Sequence, residues 1–303
     1  MEPQAASAVM MIRPAHFGAN PETAATNAFQ RTLDARPSEI LARARAEFDA
    51  FVRVLRENGV EVHVFEDTAS PVKLDAVFPN NWVSFHAGGR TVLYPMQPES
   101  RRPEVRPELV ERLARARGGS GPCLDLRLEA GGEFLEGTGS LILDRIRRVA
   151  YACHSPRTSG ALVERFCAEF GYQPVLFHAH DARGVAAYHT NVVLALGTHF
   201  AIVCLAAVRD EHERRELEST LRAADRELVP ITLAQMDEFA ANALELRGKD
   251  ARPLLALSAR ARRAFEPSQL AILERHSKLI SVDLTTIETC GGGSARCMLA
   301  EVF

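Results

Sequence analysis

Glu136, His189 and Cys297 are the three residues of this sequence best suited to act together in chemistry. A thiol becomes a strong nucleophile when a nearby base accepts its proton. An imidazole can serve as that base and return the proton later, and a carboxylate can orient the imidazole. Taken singly, each residue has an ordinary structural interpretation, so the prediction of a joint catalytic role depends on their placement.

The three residues belong to a set of five polar positions, each just ahead of an apolar strand pattern. The set is Asn81, Glu136, His189, Asn242 and Cys297, and successive members are separated by 53 or 55 residues. If equivalent modules surround one axis, the five side chains approach the same central point. This shared phase predicts a single active site assembled from several modules.

The elements that would position them repeat along the chain. From Pro37 to Leu55 the apolar residues recur at three- and four-residue steps, as in an amphipathic helix, and the alternating strand "VEVHVF" follows after Gly59. Four further helix and strand pairs are "PEVRPELVERLARARGG" with "CLDLRLE", "TSGALVERFCAEFG" with "QPVLFHAH", "EHERRELESTLRAADRE" with "LVPITL", and "PSQLAILERHS" with "KLISVDL".

Hairpins lie between these pairs, with predicted turns at Gly88-Gly89, Asp144-Arg145, Gly197-Thr198 and Gly248-Lys249. A fifth can be built from the two ends, because "AVMMIRP" and "CMLAEVF" are both short apolar strands. Pairing them would close a ring of modules, and a period near fifty residues is typical of repeat architectures. The alternative is an open α/β sheet, which needs single strands alternating with helices.

Composition narrows the class of protein. The 303 residues are 47% hydrophobic and 25% charged with a formal charge of −3, which indicates a globular protein with a small-molecule ligand. Long basic runs, uninterrupted apolar spans and CxxC spacings are missing, so nucleic acid, membrane and disulfides are not expected. We expect a cytoplasmic protein whose six cysteines are mostly buried. A metal site at "HAH", residues 178 to 180, is disfavoured because it lacks a third ligand at a recognisable spacing.

Several stretches resemble the amidinotransferase-like superfamily that modifies guanidino groups, which includes arginine deiminase and dimethylarginine dimethylaminohydrolase. They are "DAVFPNNW", "ESRRPE", "LEGTGSLIL", "CHSPRTS", "YHTNVVLAL" and "GGGSARCM". The resemblance covers nearly the whole chain. It implies a five-bladed α/β propeller (pentein) of ββαβ modules with pseudo-fivefold symmetry, formed by residues 1–303 as a single catalytic domain and closed by the terminal strands.

The same resemblance implies roles for individual residues. Cys297 would be the nucleophile, His189 the general acid and base, and Glu136 the supporting carboxylate. Asp75, Arg101 and Arg157 would contact the amino-acid end of the substrate, with Arg102 an alternative to Arg101. No cofactor is expected, since these side chains supply the nucleophile and the proton transfers.

One departure from the arginine-handling members predicts the substrate. Where they carry acids at the end of the first motif, this chain has Asn80 and Asn81. An amide offers an acceptor and two donors, which suits a neutral ureido group better than a cationic guanidinium. The citrulline-hydrolysing branch, which is similar in "FPNNW", "LEGTGS" and "RCM", is therefore the leading hypothesis. The alternative is a turn role for the asparagines, but the shared phase of Asn81 favours contact with the substrate.

The predicted reaction is attack of Cys297 on the ureido carbon of citrulline, giving ornithine, CO2 and ammonia, with N–H groups near Gly293 bearing developing charge. Three alternatives stay open: an arginine hydrolase or deiminase, a non-catalytic amino-acid-binding protein of the same fold, and a metal-dependent hydrolase. A homodimer is possible, as for many ring-shaped proteins.

Overall fold

The computed structural model describes residues 2–117, 121–249 and 252–303, which form fifteen β-strands and ten α-helices. The strands are β1 Ala8–Arg13, β2 Glu61–Glu66, β3 Val83–His86, β4 Arg90–Leu93, β5 Cys123–Asp125, β6 Ile142–Asp144, β7 Val149–Cys153, β8 Gln173–Phe177, β9 Leu194–Leu196, β10 Phe200–Val203, β11 Glu227–Pro230, β12 Leu244–Arg247, β13 Pro253–Ser258, β14 Lys278–Val282 and β15 Ala300–Val302. The helices are α1 Pro21–Ala24, α2 Pro37–Glu57, α3 Pro107–Ala116, α4 Gly137–Ser140, α5 Gly160–Phe170, α6 Glu211–Arg222, α7 Leu233–Asp237, α8 Ala259–Ala264, α9 Pro267–His276 and α10 Thr285–Gly291. Within those ranges, none of the helices is long and apolar enough to cross a membrane.

The described strands form five three-stranded sheets with one common plan. In each sheet an antiparallel pair is joined by a third strand that runs parallel to the middle strand and follows a helix. The sheets are β15-β1-β2, β3-β4-β5, β6-β7-β8, β9-β10-β11 and β12-β13-β14. This arrangement confirms the five helix and strand pairs and the four hairpins predicted from the sequence.

The two ends of the chain meet in the first of these sheets. Strand β15 pairs antiparallel with β1, with Ala8 opposite Val302 and Met10 opposite Ala300. The predicted pairing of "AVMMIRP" with "CMLAEVF" is therefore confirmed. The turn that contains Cys297 comes just before β15, so the pairing of β15 with β1 fixes the position of this turn relative to the first strand.

Neighbouring sheets touch along their first strands. Strand β15 contacts β3, β6 contacts β9, and β9 contacts β12. Ala6 forms a parallel bridge with Leu246 of β12, and the backbone N–H of Leu135 donates to the carbonyl of Pro95 at 3.1 Å. The loops ahead of these first strands are consequently brought close together.

Helix α2 shows how the sequence builds one layer of the core. Pro37 occupies its first turn, where a missing N–H costs nothing, and Gly59 just beyond its end has a φ of +83°, which glycine adopts without strain. The apolar stripe that predicted the helix includes Phe48, Phe51 and Leu55, each with no exposed surface. Burying each such side chain contributes about 1.5–3 kcal/mol relative to leaving it in water.

Some predicted elements are shorter than their patterns. The strand expected at "CLDLRLE" ends at Asp125, because its carboxylate accepts the N–H of Arg127 at 3.1 Å and turns the chain. The helix expected from Pro103 begins at Pro107, and the preceding residues form a 3₁₀ turn. Gly118, Gly119 and residues 250–251, which fall in predicted elements, lie outside the described residues.

Candidate active site

The five polar residues of the repeating phase all lie on loops or short turns ahead of the first strand of a sheet. Asn81 ends the 3₁₀ turn Pro79–Asn81, Glu136 precedes α4, His189 precedes the turn Thr190–Val192, Asn242 precedes β12, and Cys297 lies in the turn Ala295–Met298. Each of them is buried. Residues at equal spacing in the sequence therefore occupy equivalent positions, each just ahead of the first strand of its sheet.

Cys297 lies at the bottom of a cavity whose nearest polar groups are amides. Its Sγ accepts hydrogen bonds from the Nδ2 atoms of Asn242 at 3.2 Å and Asn191 at 3.3 Å. The cysteine itself is only 3% exposed. Among the described residues, no carboxylate forms a hydrogen bond with this sulfur.

His189 and Glu136 form a buried pair, with Nε2 and Oε2 separated by 2.7 Å. The Nδ1 atom of His189 has no hydrogen-bond partner in the part of the chain that the structure describes. Burial lowers the pKa of His189 to about 4, although the Glu136 carboxylate acts in the opposite direction. The neutral ring therefore carries its proton on Nε2 and keeps a lone pair on Nδ1, so Nδ1 can act as the base.

Glu136 remains ionised in this setting. Burial by itself would raise the pKa of Glu136, but the Arg157 charge, the hydrogen bond from His189 and the Arg101 charge together lower that pKa to about 2. Its second oxygen accepts the N–H of Gln97 at 3.1 Å. The carboxylate is thus held from several sides and fixes the orientation of the imidazole.

Arg101 occupies the middle of an acidic cluster. It makes a bidentate pair with Glu104 at 3.0 and 2.8 Å, and its Nη1 donates to the Oδ1 of Asn81 at 2.9 Å. Asp75 lies 3.8 Å away. Arg102 instead has a half-exposed side chain that pairs with Glu99, so of the two sequence candidates only Arg101 lines the cavity.

Arg157 approaches from the other side. Its Nε and Nη2 atoms donate to Thr26, Nη2 also contacts the carbonyl of Thr23, and the guanidinium lies 5.3 Å from the centre of the Tyr188 ring. The Nη1 atom is 3.6 Å from Glu136. Both arginines predicted to contact substrate are therefore buried and preorganised.

Asn81 is one of the residues that line the cavity. With Oδ1 engaged by Arg101, its Nδ2 is left without a hydrogen-bond partner among the described residues. Gly139 makes room for this group, because a Cβ there would lie 2.5 Å from Asn81 Nδ2 and 2.8 Å from His189 Nδ1. Asn80 is also buried but does not line the cavity, so its predicted contact with substrate has no geometric support.

The cavity is narrow, with roughly 260 Å³ of space between its atoms, part of which is open to solvent. Six of the eight site residues predicted from the sequence line it. Of the other two, Glu136 is hydrogen-bonded to His189, and Asn80 is the one that does not take part. The cavity lining consists of Thr23, Asn27, Asp75, Phe78, Asn81, Arg101, Arg157, Tyr188, His189, Gly291, Gly292, Gly293 and Cys297.

The chain matches the family described as "N,N dimethylarginine dimethylhydrolase, eukaryotic" over residues 13–303. The protein belongs to this family. It is accordingly a hydrolase that acts on linear C–N bonds, and the resemblance noted in the sequence is confirmed. None of the curated proteins matches this family member significantly.

Solved structures with the same α/β fold include other members of the pentein superfamily. The N-terminal domain of ArgZ, an arginine dihydrolase from the ornithine-ammonia cycle in cyanobacteria, was solved bound to substrate; it is 17% identical with a TM-score of 0.75, covering 97% of each chain. Unliganded AgrE is 17% identical with a TM-score of 0.75, covering 98% of this chain and 39% of AgrE. A dimethylarginine dimethylaminohydrolase adduct with S-methyl-L-thiocitrulline is 16% identical with a TM-score of 0.66, covering 99% of this chain and all of the other. The present chain spans about 40% of full-length ArgZ.

Some residues of this family member's site were not singled out in the sequence. Asn191 lies two residues after His189 in the stretch "YHTNVVLAL". Its closeness to His189 in the sequence is the feature that could have identified it. Thr23 and Asn27 come from the segment around α1, which has no periodic pattern. Tyr188 donates its hydroxyl to the carbonyl of Gly292 at 2.6 Å and so braces the glycine loop beside Cys297.

The histidines of "HAH" do not share a strand, which corrects the premise of the metal alternative. Strand β8 ends at Phe177, after which His178 is exposed, stacks on His154 and bonds to Glu213 at 2.8 Å. His180 is half-buried in the same loop. Within the described ranges, no three His, Cys, Asp or Glu side chains are grouped as a metal site requires.

We expect the contribution of His189 to the free energy of unfolding of this hydrolase to fall as the pH drops below about 6.5. The unfolded chain protonates His189 near its ordinary pKa of 6.5, whereas the folded protein resists protonation until about 4. This loss is on the order of 3 kcal/mol. A further loss follows between about 4.5 and 2, because the folded protein keeps Glu136 ionised there while the unfolded chain does not.

Urea unfolding of the wild type and of His189→Gln between pH 7 and pH 4 measures the first effect. The wild type should lose more stability than the variant across that window, because both proteins keep the titrations of His86 and Glu104 and only the wild type has that of His189. Identical slopes in the two proteins would contradict the assignment of this titration to His189.

Proposed function

We propose that this enzyme hydrolyses the ureido group of citrulline to ornithine, CO2 and ammonia through a covalent intermediate on Cys297. The observation that carries the proposal is the amide character of the groups at the reacting end of the cavity. Asn81 lines the cavity, and its Nδ2 has no hydrogen-bond partner among the described residues. A neutral ureido group, with a carbonyl acceptor and amine donors, complements such groups.

A guanidinium is less well matched to these surroundings. It has donors only and carries a positive charge, so it needs carboxylates or other acceptors close to the reacting carbon. The carboxylate of Glu136 is already bound to His189 and Gln97 and lies near two arginines. An amide N–H from Asn81 would face a guanidinium N–H rather than a carbonyl oxygen.

In the first half of the proposed reaction the Cys297 proton moves to Nδ1 of His189, and the sulfur forms a bond to the ureido carbon. Asn81 and the N–H groups around Gly293 face the oxygen as it becomes negative. The bond to the terminal amine then breaks, and His189 gives its proton to the departing ammonia. The enzyme is left as an S-carbamoyl thioester that carries the rest of the amino acid.

Water completes the reaction. His189, neutral again, takes a proton from the attacking water, and the C–S bond breaks to return the Cys297 sulfur. The released carbamate loses CO2 and gives ornithine. One water is consumed overall, and Glu136 holds the imidazole in register through both halves.

The amino-acid end of the substrate is assigned to Asp75, Arg101 and Arg157. A guanidinium has five donors in a planar fork, and each of these arginines keeps donors beyond its protein contacts. The Nη1 of Arg157 faces Glu136 at 3.6 Å without a close hydrogen bond, which leaves it available to an α-carboxylate. Asp75, held by Asn20 at 2.8 Å, is the natural partner of the α-amino group.

An arginine hydrolase is the second candidate, and the Asp75 carboxylate in the same cavity favours it. A substrate bound with its guanidinium toward Asp75 would have a partner of opposite charge. Burial raises the pKa of Asp75, however, and Arg101 lies 3.8 Å from it, so much of its charge is already balanced.

We also propose that the five sheets close into a pseudo-fivefold propeller in which residues 1–303 form one domain. Support comes from the terminal pairing of β1 with β15 and from the contacts between successive first strands. The bridge of Ala6 with Leu246 links the last sheet to the first. Closure explains why residues from different modules reach one cavity.

The decisive experiment gives the purified protein citrulline, arginine, agmatine or dimethylarginine and measures ammonia and ornithine together. We expect equal amounts of both products from citrulline and none from the other three. Two ammonia per ornithine from arginine would instead indicate an arginine dihydrolase, and accumulation of citrulline from arginine would indicate a deiminase. Either result would overturn the ureido proposal while leaving the thiol chemistry in place.

A further inference from the structure

Asn242 is the member of the repeating set that the proposed reaction leaves without a role. It is fully buried ahead of β12, and its Nδ2 lies 3.2 Å from the Cys297 sulfur. Asn191 adds a second amide nitrogen at 3.3 Å from the same atom. Two N–H donors on one sulfur are more than a neutral thiol requires.

The orientation of the Asn242 amide is determined by contacts that do not involve the sulfur. Its Oδ1 accepts the backbone N–H of Arg296 at 3.0 Å, and its Nδ2 also donates to the carbonyl of Asn191 at 3.3 Å. The oxygen therefore cannot exchange places with the nitrogen without losing both bonds. One N–H of Asn242 is thus aimed at Cys297 by the backbone of two other modules.

We infer that Asn242, assisted by Asn191, is a catalytic residue that stabilises the sulfur anion of Cys297 while its proton resides on His189. The S–H bond breaks and an N–H bond forms at Nδ1, so the proton is conserved within the pair. His189 is neutral at rest because of burial, and charge separation inside a buried cavity is unfavourable without donors to the anion. Two amide N–H groups supply those donors and add no charge of their own.

The amide pair also fits the neutral substrate on which this inference rests. A lysine or arginine beside the sulfur would stabilise the anion more strongly, but its charge would also hold the thiolate back from attack. Neutral donors support the charge moderately and can be released as the C–S bond forms.

Alkylation of Cys297 by iodoacetamide, followed by mass spectrometry, tests this role without any substrate. Only the thiolate reacts, so the rate at pH 7 reports how well the anion is supported. We expect Asn242→Ala and Asn191→Ala each to slow alkylation about tenfold, as loss of one hydrogen bond to a charged group implies. At alkaline pH, where hydroxide ionises the thiol, both rates should return toward that of the wild type.

Asn58→Ala is the matched control, because Asn58 lies at the end of α2, away from the cavity, and should leave the rate unchanged. Unchanged alkylation in both cavity variants would overturn the inference. So would rates that stay slow at every pH, which would indicate a displaced sulfur in place of an unsupported anion. If Asn242→Ala does not fold by circular dichroism, Asn191→Ala decides the result alone.

The outcome is separable from the test of the proposed function. A wild-type protein that alkylates as expected but releases no ornithine from citrulline would refute the substrate and keep the amide pair. A protein that hydrolyses citrulline while both variants alkylate at the wild-type rate would support the substrate and refute the role of the amide pair.

Discussion

Ornithine release from citrulline is expected to fall at least about 10⁴-fold when Cys297 is replaced by Ala, as for loss of other catalytic nucleophiles. The reason is that the site offers no second nucleophile comparable to a thiolate. Besides amides, arginines, Phe78 and the base His189, the cavity-lining side chains in the described ranges supply only the weaker oxygen groups of Thr23, Asp75 and Tyr188. Ammonia and ornithine measured in the same samples check the result. Citrulline binding, followed by calorimetry, should persist because the arginines and Asp75 are unchanged.

Cys167→Ala provides the matched control. Cys167 is also buried, but it lies in α5 and takes no part in the cavity, so activity should stay within roughly threefold of the wild type. Full activity in Cys297→Ala, or loss of activity with a chelator together with an active Cys297→Ser, would contradict a covalent thiol mechanism and favour a metal-dependent hydrolase.

Asn81→Asp is expected to reverse the preference between citrulline and arginine, changing the ratio of the two kcat/KM values by about 10³-fold or more. One aspartate oxygen would keep the Arg101 contact, and the second would replace the Nδ2 that now has no hydrogen-bond partner among the described residues. A carboxylate oxygen repels the ureido carbonyl but accepts from a guanidinium through a charge-assisted bond. Ornithine and citrulline formation from each substrate gives the ratio directly.

Asn81→Ala separates charge from simple loss of contact. It removes the amide without adding a carboxylate, so citrulline turnover should fall while arginine turnover does not rise. If Asn81→Asp leaves the substrate preference unchanged, Asn81 does not distinguish a ureido group from a guanidinium, and the ureido interpretation of the first motif is wrong.

The repeating organisation was readable from the sequence because it depends on local periodicity. Apolar residues at helical spacing predicted α2, and alternation predicted the hairpins and the pairing of Ala8 with the region around Val302. The short helices, such as α4 and α10, were not predicted, since four to seven residues hold too few turns to show a period.

The site was only partly accessible to the same reasoning. Spacing identified Glu136, His189 and Cys297, because equivalent positions in repeated modules face the same way. Spacing could not separate Arg101 from Arg102 or Asn81 from Asn80, since neighbouring residues in an irregular turn point in directions set by the local backbone. The sequence likewise did not show that Asn191 and Asn242 donate hydrogen bonds to the Cys297 sulfur.

By itself, therefore, the sequence determined the five-module plan and the family and singled out Cys297 as the candidate nucleophile, because these follow from local pattern and order along the chain. Tertiary structure alone decided which side chains line the cavity and how each amide is turned. Those contacts join residues far apart in sequence: Thr23 meets Arg157 across 134 positions and Asn191 meets Cys297 across 106. Their geometry depends on how separate sheets pack together, and no local period records it.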